Sequence, residues 1–259
     1  MSSRIWTTRA VASEAATARF DLWRAVEAQY VAATMALVDS VAEQHVLERL
    51  LEESKQPIPA AARSLHWLLF TPFRYPPPPG GSRFRGPEDP GVFYGADEIR
   101  TACAELGYWR WRHLLETPAL AAMPTKPQTV FRAQVSTLCI DLRLQPFSQD
   151  RARWTRPDDY GACQRFAATA REAKLGAIRY ESVRDPERGG CCAVLAPDAF
   201  GKGAPLEQQS WMLSVSRDEV VWQRAGTLRP IELAFGARKW ADRPAPVRAR
   251  RPGARRRRL

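Results

Sequence analysis

Arg83 and Arg85 follow Gly80-Gly81-Ser82, a stretch where backbone can approach a ligand closely. Guanidinium groups hold their charge and meet phosphate oxygens through a fork of N–H donors. Set on an exposed loop, the same arginines are ordinary solvated charges, and the Gly-Arg loop is not a P-loop. Glu105 is more telling. The apolar stripe of its segment runs Ile99, Ala102, Leu106, Trp109, and Glu105 falls at the edge of that stripe. Positions 101, 102, 108 and 109 are Thr, Ala, Tyr and Trp, so no cation lies three or four residues away to pair with it. A carboxylate at the margin of a core without a local partner has either a distant cation or a chemical task. Tyr94 ends a short apolar run, where its ring can stack on a ligand or pack in the core with a bonded hydroxyl. Ser182 stands outside any Gly-x-Ser-x-Gly context, which fits an orienting hydroxyl better than a nucleophile. Arg184 either joins the same pocket or pairs with Glu181 or Asp185.

The remaining residues must frame these groups. With 259 residues, 45% of them hydrophobic, the chain can bury one sizeable core or a core plus an appendage. No run approaches the ~20 apolar residues that span a bilayer. Met1 to Arg9 lack the apolar stretch of an export signal. Both observations point to a cytoplasmic protein with no membrane partner. Cys103, Cys139, Cys163, Cys191 and Cys192 fit neither a zinc nor a redox spacing and read as small buried hydrophobes. Cys191 and Cys192 are adjacent, so a strand would point them to opposite faces. His45, His66 and His113 are too far apart to suggest a metal site. The net charge of +11 is uneven: 236–259 contains ten Lys or Arg and one Asp, leaving 29 basic and 27 acidic residues elsewhere. The basic excess belongs to a terminal run, expected to be disordered. Arg250-Arg251 and Arg255 to Arg258 in that run could hold nucleic acid weakly and salt-dependently, which makes a non-enzymatic nucleic-acid-binding protein one alternative.

Residues 10–54 contain neither proline nor glycine. Phe20, Trp23, Val26, Tyr30, Ala33, Leu37 and Val41 recur at three- and four-residue steps, which predicts one long or two consecutive amphipathic helices ending at Pro57. Such an extension would dock on the body or form a dimer surface. A short helix is expected within 60–70, then a Pro/Gly loop over 72–90, a strand over 92–95, and a helix capped by Asp97 and running to about Leu115. Thr129 to Leu142 reads as one bent strand or two, and Arg156-Pro157-Asp158-Asp159 as the opening of a helix stopped by Gly176. Strands are expected at 177–182 and 191–196, and a hairpin at 211–215 and 220–223. The division is a helical extension over 1–59, a main domain over 60–235 and a basic tail over 236–259.

Taken together and in this order, the polar residues resemble the RES domain family, named for its Arg, Glu and Ser. The likeness covers about residues 65–200, roughly half the chain. Gly81-Ser82-Arg83-Phe84 is similar to the family's Gly-Gly-Arg-Trp, with Ser82 in place of the second glycine, and Arg85 stands where an Asn often follows. Tyr94 matches the family's later tyrosine, Glu105 its helix glutamate, and Ser182, in Tyr180-Glu181-Ser182-Val183-Arg184, its strand-end serine. Arg74, in Phe73-Arg74-Tyr75, resembles the arginine that often opens the domain. The resemblance implies an α+β fold with a small mixed β-sheet like that of ADP-ribosyltransferases. It also implies an enzyme that degrades NAD+ and serves as a toxin neutralised by a helix-turn-helix antitoxin. On that reading Arg83, with Arg74 or Arg85, holds the pyrophosphate, and Tyr94 lies near the nicotinamide ribose. Glu105 stabilises positive charge as the glycosidic bond opens, Ser182 fixes the ribose or nicotinamide side, and Arg184 adds to the pocket. NAD+ is the substrate rather than a cofactor, and inorganic phosphate or water is the acceptor. Transfer of ADP-ribose to a macromolecule is the alternative outcome on the same site, and a homo-oligomer is an open expectation.

Overall fold

The computed structural model describes residues 6–28 and 37–241. Along the chain run α1 (Thr8–Ser13), β1 (Ala16–Glu27), α2 (Val41–Glu53), α3 (Trp67–Arg74), β2 (Phe93–Ala96), α4 (Ile99–Leu115) and β3 (Ala122–Asp141). Then come α5 (Arg151–Trp154), α6 (Gly161–Glu172), β4 (Ala177–Glu181), β5 (Gly190–Val194), β6 (Glu207–Ser216), β7 (Glu219–Arg224), β8 (Glu232–Gly236) and α7 (Arg238–Ala241). The fold is mixed α+β, as expected, and its sheet has eight strands in the order β1-β2-β5-β4-β3-β6-β7-β8. Only β3–β4 is parallel; the other pairings are antiparallel.

A further pairing of β1 with β3 closes β1, β2, β5, β4 and β3 into a ring. Leu22, Phe93, Phe131, Ala177 and Val194, at least one from each of these strands, form one buried cluster. Leu68, Leu69 and Phe73 of α3 pack into it. Each such side chain contributes on the order of 1.5–3 kcal/mol through burial. A second cluster packs Ala104, Tyr108 and Trp111 of α4 against Trp211, Trp222 and Trp240. A third joins Phe84, Phe147, Trp154, Phe166 and Tyr180 beneath α6. Cys191 belongs to this third cluster and Cys192 to the first, so the adjacent cysteines do point to opposite faces. All five cysteines are buried and free. No described helix is long and apolar enough to cross a membrane.

Several local expectations are corrected. Within the stretch 10–54 expected to form one or two helices, Ala16–Glu27 is instead β1, a twelve-residue strand paired with β3 along its whole length. Its apolar residues satisfy both periods: Phe20, Trp23 and Val26 at three-residue steps, Phe20 and Leu22 at two. Long-range pairing decides between them. The N-terminal region keeps two helices, α1 and α2, but β1 between them is woven into the sheet; Tyr30 and Ala33 lie outside the described residues. Asp97 does not cap α4. Glu98 occupies the cap position without a side-chain bond, because Asp97 is taken by Arg143 and Arg179, each at 3.0 Å. β3 is one strand with an irregularity between Met123 and Lys126. α6 begins at Gly161 rather than at the Arg156-Pro157 turn, and its end is marked by Lys174 at φ 59° rather than by Gly176. The tail expected from 236 contains α7, whose Trp240 is buried against Tyr108, Trp111 and Phe235. Its arginine runs beyond residue 241 lie outside the described residues.

Candidate active site

A cavity of about 480 Å³ lies between β1, β2, α4 and the loop before β2. The loop owes its shape to glycine. Gly81 has φ +76°, and a Cβ there would stand 2.1 Å from the Arg85 carbonyl oxygen. The chain turns tightly beyond it, with the Ser82 amide donating to the Arg85 oxygen at 2.7 Å. Gln164 of α6 fixes the turn from outside, its Nε2 donating to the oxygens of Gly80 and Ser82, each at 3.0 Å. Phe84 then enters the core against Tyr180, and Arg83 faces the cavity.

Tyr94 ties this loop to β2. Its hydroxyl accepts from the Phe84 amide at 2.9 Å and shares a hydrogen bond with Ser82 Oγ at 2.8 Å. Burial pushes its pKa up to about 12, so the phenol stays neutral. Arg83 Nη1 donates to the carbonyl oxygens of Trp154 and Arg156, both at 2.9 Å, and its guanidinium lies 4.7 Å from the Tyr160 ring centre. Burial opposes its charge, but Cys163, Tyr160, Tyr180 and Glu105 around it hold its pKa above the usual guanidinium value.

Glu105 projects from α4 into the same cavity. Its missing partner is remote in sequence: Ser182 Oγ donates to Glu105 Oε1 at 2.6 Å. The Ser182 hydroxyl is itself held by the amides of Arg184 and Asp185, which donate to it at 3.1 and 2.9 Å. With three bonds and 0% exposure, it has nothing left for a ligand and serves to orient the carboxylate. Cys191 adds a weak donor, Sγ to Glu105 Oε1 at 3.8 Å, and burial followed by Glu105 itself pushes its thiol pKa well up.

Arg184 is 1% exposed and lines the cavity. It does not pair with Glu181 or Asp185; its Nη2 donates to the Pro157 oxygen and Tyr160 hydroxyl, and its guanidinium lies 4.0 Å from the Tyr108 ring centre. Its carbonyl accepts from Trp240 Nε1 at 2.6 Å, so α7 braces the Ser182 turn. Trp109, 46% exposed, forms part of the cavity wall.

Arg74 and Arg85 do not join this group. They line a separate cleft of about 790 Å³ with Arg171 and Lys174. Arg74 pairs with Glu52 at 2.6 Å and bonds the Gln56 carbonyl, and Arg85 donates to the Asp89 carbonyl at 3.1 Å. The chain reverses between Ser82 and Arg85, whose backbones bond each other in both directions, so residues 83 and 85 face different sides. Sequence reasoning missed Trp23 and Arg24, which β1 brings to the cavity, because the strand read as helix. It also missed Tyr160 and Gln164, for which no local spacing gave a signal. Among the described residues no cluster of His, Cys, Asp and Glu could hold a metal ion.

The RES domain pattern matches residues 58–216, more than half of the chain, and the chain belongs to that family. A chain of the M. tuberculosis MbcT-MbcA toxin-antitoxin complex is similar at 11% identity, over 78% of this chain and 87% of that one, with a TM-score of 0.45. No curated protein matches the sequence.

Proposed function

We propose that this protein cleaves the nicotinamide N-glycosidic bond of NAD+, with phosphate or water as acceptor, and acts as the toxin of a toxin–antitoxin pair. Family membership supports a toxin. The observation that carries the chemistry is the charge pattern of the cavity. Arg24, Arg83 and Arg184 line it without an ion pair to a carboxylate among the described residues, and Glu105 is the single carboxylate of its lining. NAD+ carries the complementary pattern, an anionic pyrophosphate and a cationic nicotinamide ring. The guanidinium side takes the phosphates, and the ribose C1′ comes to Glu105.

As the C1′–N1 bond breaks, its electron pair passes to the nicotinamide nitrogen, which leaves neutral without a general acid. Positive charge moves onto the ribose, where the oriented Glu105 carboxylate stabilises it. A phosphate oxygen, or a water that gives up its proton, then bonds to C1′. Ser182 acts through Glu105, and Tyr94 through the Arg83 loop. An antitoxin that covers the cavity mouth would silence the activity.

Purified protein incubated with NAD+, with and without inorganic phosphate, tests this by mass analysis of the products. Nicotinamide with ADP-ribose 1″-phosphate, or with ADP-ribose, is expected. NAD+ recovered intact would overturn the proposal, and label from NAD+ left on a macromolecule would redirect it to ADP-ribose transfer.

A further inference from the structure

The cleft that Arg85 faces shares no lining residue with the cavity and is the larger of the two, about 790 Å³ against 480 Å³. It opens between the end of α3, the loop over 85–91, the end of α6 and the segment after β5. Four cations line it, Arg74, Arg85, Arg171 and Lys174, against one carboxylate, the exposed Asp198. Arg74 is matched by Glu52. The other three are not. Arg171 Nη1 stands 3.3 Å from Asp89 Oδ2, an oxygen that also accepts from the Gly86 amide at 2.7 Å. Arg85 and Lys174 form no ion pair with a described residue, and Asp89 is the carboxylate that acts on the charge of both Arg85 and Arg171.

These cations cannot spread apart as solvated surface charges do. Arg85 is pinned by its Nε bond to the Asp89 carbonyl, and Arg171 by the bond from Nη2 to the Phe84 carbonyl at 3.1 Å. Burial, and then the neighbouring Arg171, lower the Arg85 pKa, and burial lowers that of Arg171. Positive charge crowded in this way, and already fixed in orientation, gains when an anion arrives. The rest of the wall is uncharged: Tyr75, 38% exposed, stands beside Pro76 and Pro90. A cleft of this size exceeds what an inorganic ion needs and suits a small organic molecule. We infer that the cleft is a second ligand site, taking a phosphate ester whose phosphates sit at Arg85, Arg171 and Lys174 and whose uncharged part lies along Tyr75, Pro76 and Pro90. The inference is independent of the NAD+ reading, which concerns the cavity on the other side of Phe84.

The test is calorimetric titration of the full chain with ADP, a phosphate ester with a flat ring, at several salt concentrations. For wild type we expect binding that weakens with salt. The double variant Arg85→Gln with Lys174→Gln removes two charges but no ion pair, so its melting temperature should stay close to that of wild type. It is expected to weaken a binding event by ~10-fold or more. ADP binding unchanged in this variant places the nucleotide elsewhere, in the cavity for instance, and overturns the inference while leaving the NAD+ reading intact. Wild type that does not bind ADP at all also overturns it, and nicotinamide release from NAD+ is then unaffected as a test of the cavity. An oligoglutamate peptide that binds more tightly than ADP, and is lost in the double variant, overturns the small-molecule class in favour of an acidic protein segment. Should the double variant fail to fold, Lys174→Gln replaces it, since Lys174 makes no bond through its ammonium to a described residue. Weakening of ~3-fold or more in that variant supports the inference, and unchanged affinity overturns it.

Discussion

Replacing Ser182 with alanine removes the hydroxyl that points Glu105 into the cavity. The lost bond to the carboxylate is 2.6 Å long, and bonds to charged groups contribute about 1.5–3 kcal/mol. The amides of Arg184 and Asp185 also lose their acceptor in a site with 0% exposure. Each orphaned donor costs about 1–3 kcal/mol, partly relieved by local relaxation. We expect Ser182→Ala to be destabilised by roughly 3–5 kcal/mol, lowering the melting temperature by about 10 °C. Catalysis changes separately. Glu105 keeps its charge but loses its orientation, so kcat for nicotinamide release falls ~10- to 100-fold while KM changes little, because Ser182 does not touch substrate. Calorimetry and steady-state kinetics below the melting range measure the two effects. A variant that melts early yet keeps full kcat would refute Ser182 as the orienting group, and one with raised KM and normal kcat would place Ser182 in direct contact with substrate.

Three further outcomes follow from the same geometry. Trp240→Ala opens a cavity in the α4–β7 core and frees the Arg184 carbonyl; it should cost ~3–5 kcal/mol by chemical denaturation and lower turnover, and wild-type stability would show that α7 is dispensable. Tyr94 has a folded pKa near 12, above its unfolded value of 10.0, so its contribution is full below pH 10 and is lost as pH rises through 12. Tyr94→Phe should therefore soften the alkaline decline in urea midpoint between pH 9.5 and 11.5, and an identical decline would remove Tyr94 as a source. Gly81→Ala forces a left-handed backbone and a contact with the Arg85 oxygen; it should raise KM ~10-fold or more through the displaced Arg83 loop, and an unaltered KM would show that the loop tolerates another shape.

Much of the site was legible because its residues violate local rules. Glu105 had no helical ion-pair partner, and its real partner proved to be Ser182, 77 positions away. The deficit announced a remote partner without naming it, since the pairing depends on where the turn after β4 meets α4. Arg83 and Arg85 looked equivalent in sequence. A tight turn separates them, and nothing in their neighbours announces which one faces inward. β1 was misread because its apolar residues fit two periods at once, and only its ladder with β3 selects the strand. Arg24 was lost with it. Trp240 sits among arginines whose composition suggests disorder, yet one buried indole and its bond to Arg184 are enough to hold α7. The hairpin of β6 and β7, by contrast, follows from two short apolar runs, 211–215 and 220–223, flanking a polar turn, and its position matched.

The central claim is that Glu105 carries the transition state of nicotinamide release. Glu105→Gln keeps an acceptor for Ser182 and removes the negative charge, so it separates electrostatics from packing. Measured by nicotinamide release from NAD+ beside wild type, we predict a turnover loss of ~100-fold or more, about 2.7 kcal/mol, with melting temperature and KM nearly unchanged. Equal turnover in the two proteins, or no release by wild type itself, would contradict the account.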